Sequence, residues 1–228
     1  MGIMRHVLTR VFAVGLAIGF FGLSQATTSL AAAPDAANQQ YLQGAKLFQQ
    51  DNYDGAIAAL KEAIQLQPKF PDAYHLLGQV YFEGQKRPSD AIAAIKQAIQ
   101  LRPDFAVAYY HLGLIYQAQG KFADAEQVLR RAIEISPRYE EAHWTLARQF
   151  QRNRLNDKAV QVYEALLAIN PDHSGALYSL GSIYDGLGDS RRAREVLERL
   201  TKVDPSHPDG WYLIGRIEEK ENHLTQAT

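Results

Sequence analysis

The sequence predicts an all-α fold built from stacked helix pairs, and three observations carry that prediction: a period near 34 residues, columns of small residues within each period, and bulky apolar residues recurring at three-to-four spacing between them. Pro68, Pro103, Pro137, Pro171 and Pro205 are separated by 35, 34, 34 and 34 residues. With Ala37 taken as position 1, position 8 holds Gly44, Gly78, Gly113, Ala147, Gly181 and Gly215. Position 20 holds Ala56, Ala91, Ala125, Ala159, Ala193 and Ala227, once one extra residue in the second period is allowed. Small residues at both positions let two helix backbones approach closely, so Gly113 is expected to face Ala125.

Within a period, Tyr109, Leu112 and Tyr116 mark one amphipathic helix, and Ala125, Leu129 and Ala132 mark a second. Gly120 and Lys121 supply the turn between them, and Pro137 closes the second helix. The run Tyr109-x2-Leu112-Gly113-x2-Tyr116, followed by Ala125, Leu129, Ala132 and Pro137, resembles the tetratricopeptide repeat (TPR) pattern. The resemblance covers residues 37–228 and implies a right-handed α-solenoid of helix-turn-helix units.

In chain order, the units are 37–70, 71–105, 106–139, 140–173 and 174–207, with a partial sixth at 208–228. The first departs from the pattern at Gln40 and Gln43, which suits a terminal unit with one face toward water. In the second, GQKRPSD at 84–90 inserts into the turn. In the fourth, His143 replaces the expected Trp and Ala147 the expected Gly, while in the sixth Glu218 stands where Tyr belongs. Residues 208–221 are expected to form a closing helix. The alternative is that the chain is the recognition arm of a longer enzyme, truncated at Thr228.

Ahead of the repeats, Arg5 and Arg10 precede the unbroken apolar run VFAVGLAIGFFGL at 11–23. A basic start, a short apolar stretch and small residues after it form the layout of a secretory signal peptide, 1–31, cleaved after Ala26 or Ala31, with 32–36 as a linker. The run is too short to span a bilayer as a helix, although retention as a membrane anchor is the alternative. Both arginines lie before it and the next basic residue is Lys46, so either reading places the repeats outside the cytoplasm, in the periplasm, secreted or anchored facing outward. The membrane is a partner only through an uncleaved segment.

Composition narrows the function. A net charge of -1 offers no basic field for nucleic acid, and the lack of cysteine excludes disulfides, thiolate metal sites and cysteine nucleophiles. There is no G-x4-G-K-[ST] loop and no G-x-S-x-G elbow; Gly181 belongs to the small-residue column, and Gly186 and Gly188 fall at a repeat turn. Glu140 and His143 make a single E-x-x-H step with no second copy, and His143 sits at a core position. His173 and His207 share position 34 and are expected to be surface loop histidines, a helix-pair width apart. Glu140 with Glu141, and Glu218 with Glu219, are expected to be solvated. No catalytic residue, metal ligand or cofactor is predicted, and the chain is expected not to be an enzyme.

The functional expectation follows from the resemblance, which implies a concave groove lined by positions 2, 5, 6, 9, 12 and 13. Position 5 holds Tyr41, His75, Tyr110, Trp144, Tyr178 and Tyr212, and position 12 adds Phe48 and Phe82. Such rings suit an extended peptide or a partner helix, or alternatively they pack neighbouring units together. Trp144 shares a helix face with Arg148 and Arg152, a set suited to an acidic segment unless Arg148 pairs with Glu140 or Glu141. The Lys and Asn clamp with which some TPR proteins hold chaperone tails is missing. The expected role is an exported scaffold for protein interaction, in assembly of a cell-envelope complex. Oligomeric state is left open by the sequence.

Overall fold

The computed structural model describes residues 35–226, with side chains to residue 220. The signal segment, its cleavage sites and Ala227 lie outside the described residues. Every regular element described is helical: α1 (35–49), α2 (Tyr53–Leu66), α3 (Pro71–Gln79) continuing into a π-helical turn (Val80–Gly84), α4 (Pro88–Leu101), α5 (Ala106–Ala118), α6 (Phe122–Ile135), α7 (Glu140–Arg152), α8 (Asn156–Ile169), α9 (Ser174–Gly186), α10 (Ser190–Val203) and α11 (Pro208–Gln226). The protein has the all-α helical-repeat fold that its period predicts.

Each helix starts where its sequence allows. Pro71, Pro88 and Pro208 open α3, α4 and α11, where a missing N–H costs nothing. Asn52 and Asp189 precede α2 and α10, and their side chains accept from the N–H groups of Gly55 and Arg192 at 3.1 and 3.0 Å. The Arg192 N–H, and then its guanidinium, hold the Asp189 carboxyl below the usual range.

One turn recurs between the helices of every pair. Position 15, or its equivalent after the insertion, has a left-handed backbone at Asp51, Lys86, Gly120, Arg154 and Gly188, with φ of 57, 51, 72, 58 and 78°. The next residue donates back to the carbonyl of position 11: Asn52 to Leu47, Lys121 to Tyr116, Leu155 to Phe150 and Asp189 to Tyr184, each at 2.9 Å. In the second repeat the same bond runs from Arg87 to Tyr81 at 2.8 Å and spans one residue more. The π turn over Val80–Gly84 absorbs that residue, with Gln85 donating to the Val80 carbonyl, so the insertion leaves the helix pairing intact.

The described chain falls into two compact bodies, divided after Pro103. In the first, Ala37, Ala63, Phe70 and Ala73 form a buried cluster at the junction of α1, α2 and α3. In the second, a continuous core runs from Leu129 through Phe150, Tyr163 and Leu180 to Ile217. The small column meets both the expected partner, with the Ala56 and Ala91 carbonyls 3.4 and 3.1 Å from a Cβ built on Gly44 and Gly78, and a bulky one. A Cβ on Gly113 would lie 2.8 Å from Leu129, and one on Gly44 or Gly181 2.7 Å from Leu60 or Leu197. Position 8 therefore clears space for the position-24 side chain, and Ala125 is not among the atoms nearest Gly113.

The last helix departs from expectation. α11 continues to Gln226, beyond residue 221, as a single run of 19 residues. A Cβ on Gly215 would meet nothing within 4 Å among the described residues. Trp211, at position 4, is 54% exposed. What seats α11 is an apolar edge of Leu213, Ile214 and Ile217, together with a charge cluster: Asp185 of α9, its carboxylate 1% exposed, is gripped by Arg216 and by Lys220 at 2.8 Å.

Candidate functional site

The rings at position 5 have partners that the repeat itself supplies. Tyr41 packs on Phe70, Tyr110 on Tyr139, Trp144 on His173 and Tyr178 on His207, with centroids 5.2, 5.2, 5.0 and 5.0 Å apart. In each pair the second ring is at position 34 of the same repeat. Burial in these pairs is the main cause that raises the Tyr41 and Tyr139 hydroxyls above the ordinary tyrosine value. His75 is buried, with 9% exposure, whereas Tyr212 is 65% exposed under the Arg216 guanidinium. Phe48 turns toward Tyr53, 6.1 Å away.

His173 and His207 are therefore not merely surface loop residues. Each is half-buried, stacks on a position-5 ring, and caps the next helix: Nδ1 accepts from the Ala176 N–H at 3.1 Å and the Gly210 N–H at 3.2 Å. His143 keeps its expected core place, 7% exposed, with Nε2 3.0 Å from the Pro137 carbonyl. Among the described residues, no cluster of three His, Asp or Glu side chains could hold a metal ion, and no helix is long and apolar enough to cross a membrane.

Trp144 differs from the other position-5 rings because only part of it is covered. One side rests on His173, on Tyr163 with centroids 5.7 Å apart, and on Gly175, where a Cβ would come within 2.8 Å of the indole. The glycine is what lets the edge of so large a ring come close to α9. Another side of Trp144 forms, with Leu114 and Phe122, the apolar wall of a pocket of about 180 Å³. Its floor is polar and already satisfied: buried Gln149 donates to the Phe122 carbonyl at 2.8 Å and accepts from Gln117 at 2.7 Å, beside Thr145. Arg148 and Arg152 stand at the rim.

The Arg148 guanidinium lies over Trp144, 5.4 Å from the ring centroid. Its alternative pairing with Glu140 or Glu141 is not formed. Glu140 accepts from Asn170 at 2.8 Å instead, and among the described residues neither Arg148 nor Arg152 takes part in an ion pair. Trp144, Arg148 and Arg152 line one pocket. Tyr178 and Tyr212 stand at the same register of α9 and α11 but outside this pocket, as does Tyr110 on α5; Tyr41 and His75 belong to the first body. Sequence reasoning missed Gly175, the residues from neighbouring helices, Leu114, Gln117 and Phe122, and Gln149 on α7 itself. The position-34 rings were visible as a column, Phe70, Phe105, Tyr139, His173 and His207, and point to the pairing.

Similarity to known proteins follows the same repeat. A family model for TPR repeat matches residues 44–84, and one for tetratricopeptide repeat matches 84–150 and 153–217. No curated protein matches the chain. Among solved structures, MamA is 27% identical, with a TM-score of 0.66 over 75% of this chain and 93% of its own. PilF of Pseudomonas aeruginosa is 17% identical, with a TM-score of 0.70 over 86% and 89%. YrrB, a TPR protein with an unusual peptide-binding site, is 20% identical, with a TM-score of 0.61 over 79% and 90%. With repeat models matched over more than half its length and the helix pairs, turns and small-residue columns in place, this chain belongs to the tetratricopeptide repeat family.

Proposed function

We propose that the protein is an exported, non-catalytic scaffold that binds a segment of another protein at the first helices of its repeats and helps assemble a cell-envelope complex. The observation that carries this reading is the Trp144 pocket, where an aromatic wall and two guanidinium groups outside any described ion pair stand beside a hydrogen-bonded floor. An aromatic ring in a preformed hollow, flanked by arginine, is the composition of a binding hot spot. The basic start and apolar run at 1–23 support export. Membership of a repeat family whose members mainly serve as interaction scaffolds supports the lack of catalysis.

The test is in-cell photo-crosslinking. A crosslinking residue replaces Tyr110 or Trp144, with Lys158 on α8 as the control position. One envelope protein captured from both test positions and not from Lys158 is the expected result; equal capture from all three, or a cytoplasmic partner, would contradict it. Sequencing the N-terminus of the purified protein tests export separately, with Thr27 or Ala32 expected as the first residue.

A further inference from the structure

The repeat contains its own precedent for what the Trp144 pocket receives. At the end of the chain, two basic side chains at positions 9 and 13 of one first helix, Arg216 and Lys220, close on a buried carboxylate at position 12 of the preceding first helix, Asp185. The fourth repeat carries the same pair at the same positions, Arg148 and Arg152 on α7. Position 12 of the repeat before it is Gln117, which is neutral and turned to Gln149. Where Asp185 fills the one site, a pocket of about 180 Å³ lies at the other, and no carboxylate lines it.

We propose that Arg148 and Arg152 receive an Asp or Glu side chain from an extended peptide of a partner protein, taking the part that Asp185 plays for Arg216 and Lys220. The inference rests on the groove-binding reading above and names its chemistry. Two cations outside any ion pair set the charge of the ligand, and the precedent in the same chain makes it a side-chain carboxylate rather than a chain terminus. Leu114, Phe122 and Trp144 add that an apolar residue lies beside the acid.

The experiment is selection from a peptide library displayed on phage with each peptide fused through its C-terminus, so that no free terminal carboxylate is present, against purified residues 32–228. The expected enrichment is Asp or Glu next to Leu, Ile or Phe. An enriched sequence, synthesised with a C-terminal amide and labelled, should lose affinity by at least about tenfold, or 1.4 kcal/mol, when its acid becomes Gln or when the protein carries Arg148→Glu. Gln117→Glu should fill the grip from inside and weaken the peptide similarly; the melting temperature is recorded for both variants, and the exposed Arg148→Glu is the one whose fold is not at stake. Peptides that need Trp144 but have no acid would overturn this inference and leave groove binding standing. Peptides indifferent to Arg148→Glu, ligands that require a free C-terminus, or self-association through the pocket would also overturn it. Failure to select any peptide would sink both readings.

Discussion

Gly113 shows how much one hydrogen can matter. Its missing side chain makes room for Leu129, and Gly113→Leu should cost about 1–3 kcal/mol by overpacking; an unchanged denaturation midpoint would contradict that packing. Tyr184 offers a second test at this scale. Burial, and then its hydrogen bond to Glu164, push the hydroxyl up to about 12. A folded value above the unfolded one means that the contribution is complete below pH 10 and lost as pH rises through about 12. Urea melts between pH 9 and 12 should show stability falling as pH rises, with Tyr41, Tyr139 and Tyr163 contributing in the same direction, and Tyr184→Phe should make that fall shallower. Trp144 was legible from sequence as an unusual ring beside two arginines. Gly175 was not, because the need for it arises only when α9 packs on the indole.

At the scale of the element, the turn is the informative unit. Non-glycine residues at the left-handed position pay roughly 1–2 kcal/mol, part of which glycine returns as chain entropy. Arg154→Gly should therefore gain about 0.5–1 kcal/mol and Gly120→Ala should lose about as much, measured by chemical denaturation. The insertion in the second repeat was visible as an extra residue, but its conversion to a π turn depends on keeping the Arg87-to-Tyr81 bond and could not be read from composition. The α11 helix rests on Asp185. Because Arg216 and Lys220 are 40% and 49% exposed, their attraction is screened, and Asp185→Asn should cost about 1–3 kcal/mol. Faster hydrogen exchange confined to α11 is the expected sign; exchange unchanged there would show that the apolar edge alone holds it.

For the whole molecule, the period and the small columns carried the fold, because every repeat solves the same packing problem with the same residues. The site was less legible for the same reason. It depends on where repeats differ: Arg148 and Arg152 at positions 9 and 13, Trp144 in place of Tyr, Gly175 in place of a larger residue. Such departures acquire meaning only when neighbouring helices are superposed in register, as the comparison of Asp185 with Gln117 requires. Each repeat packs mainly on its neighbours, so loss of structure should start at α11, the last described helix, and leave the core around Phe150 and Tyr163 until last. Hydrogen exchange over the full chain checks that order.

Binding of a partner at the Trp144 pocket, as proposed, can be read from the indole itself. Trp144 and Trp211 are the two tryptophans of the chain, so Trp211→Phe leaves Trp144 as the only indole reporter. Titrating that variant with the selected acidic peptide should shift the Trp144 emission with the same midpoint that anisotropy gives for the labelled peptide, and Arg152→Glu should move both midpoints together. Saturable peptide binding with Trp144 emission unchanged would place the site elsewhere and contradict the account.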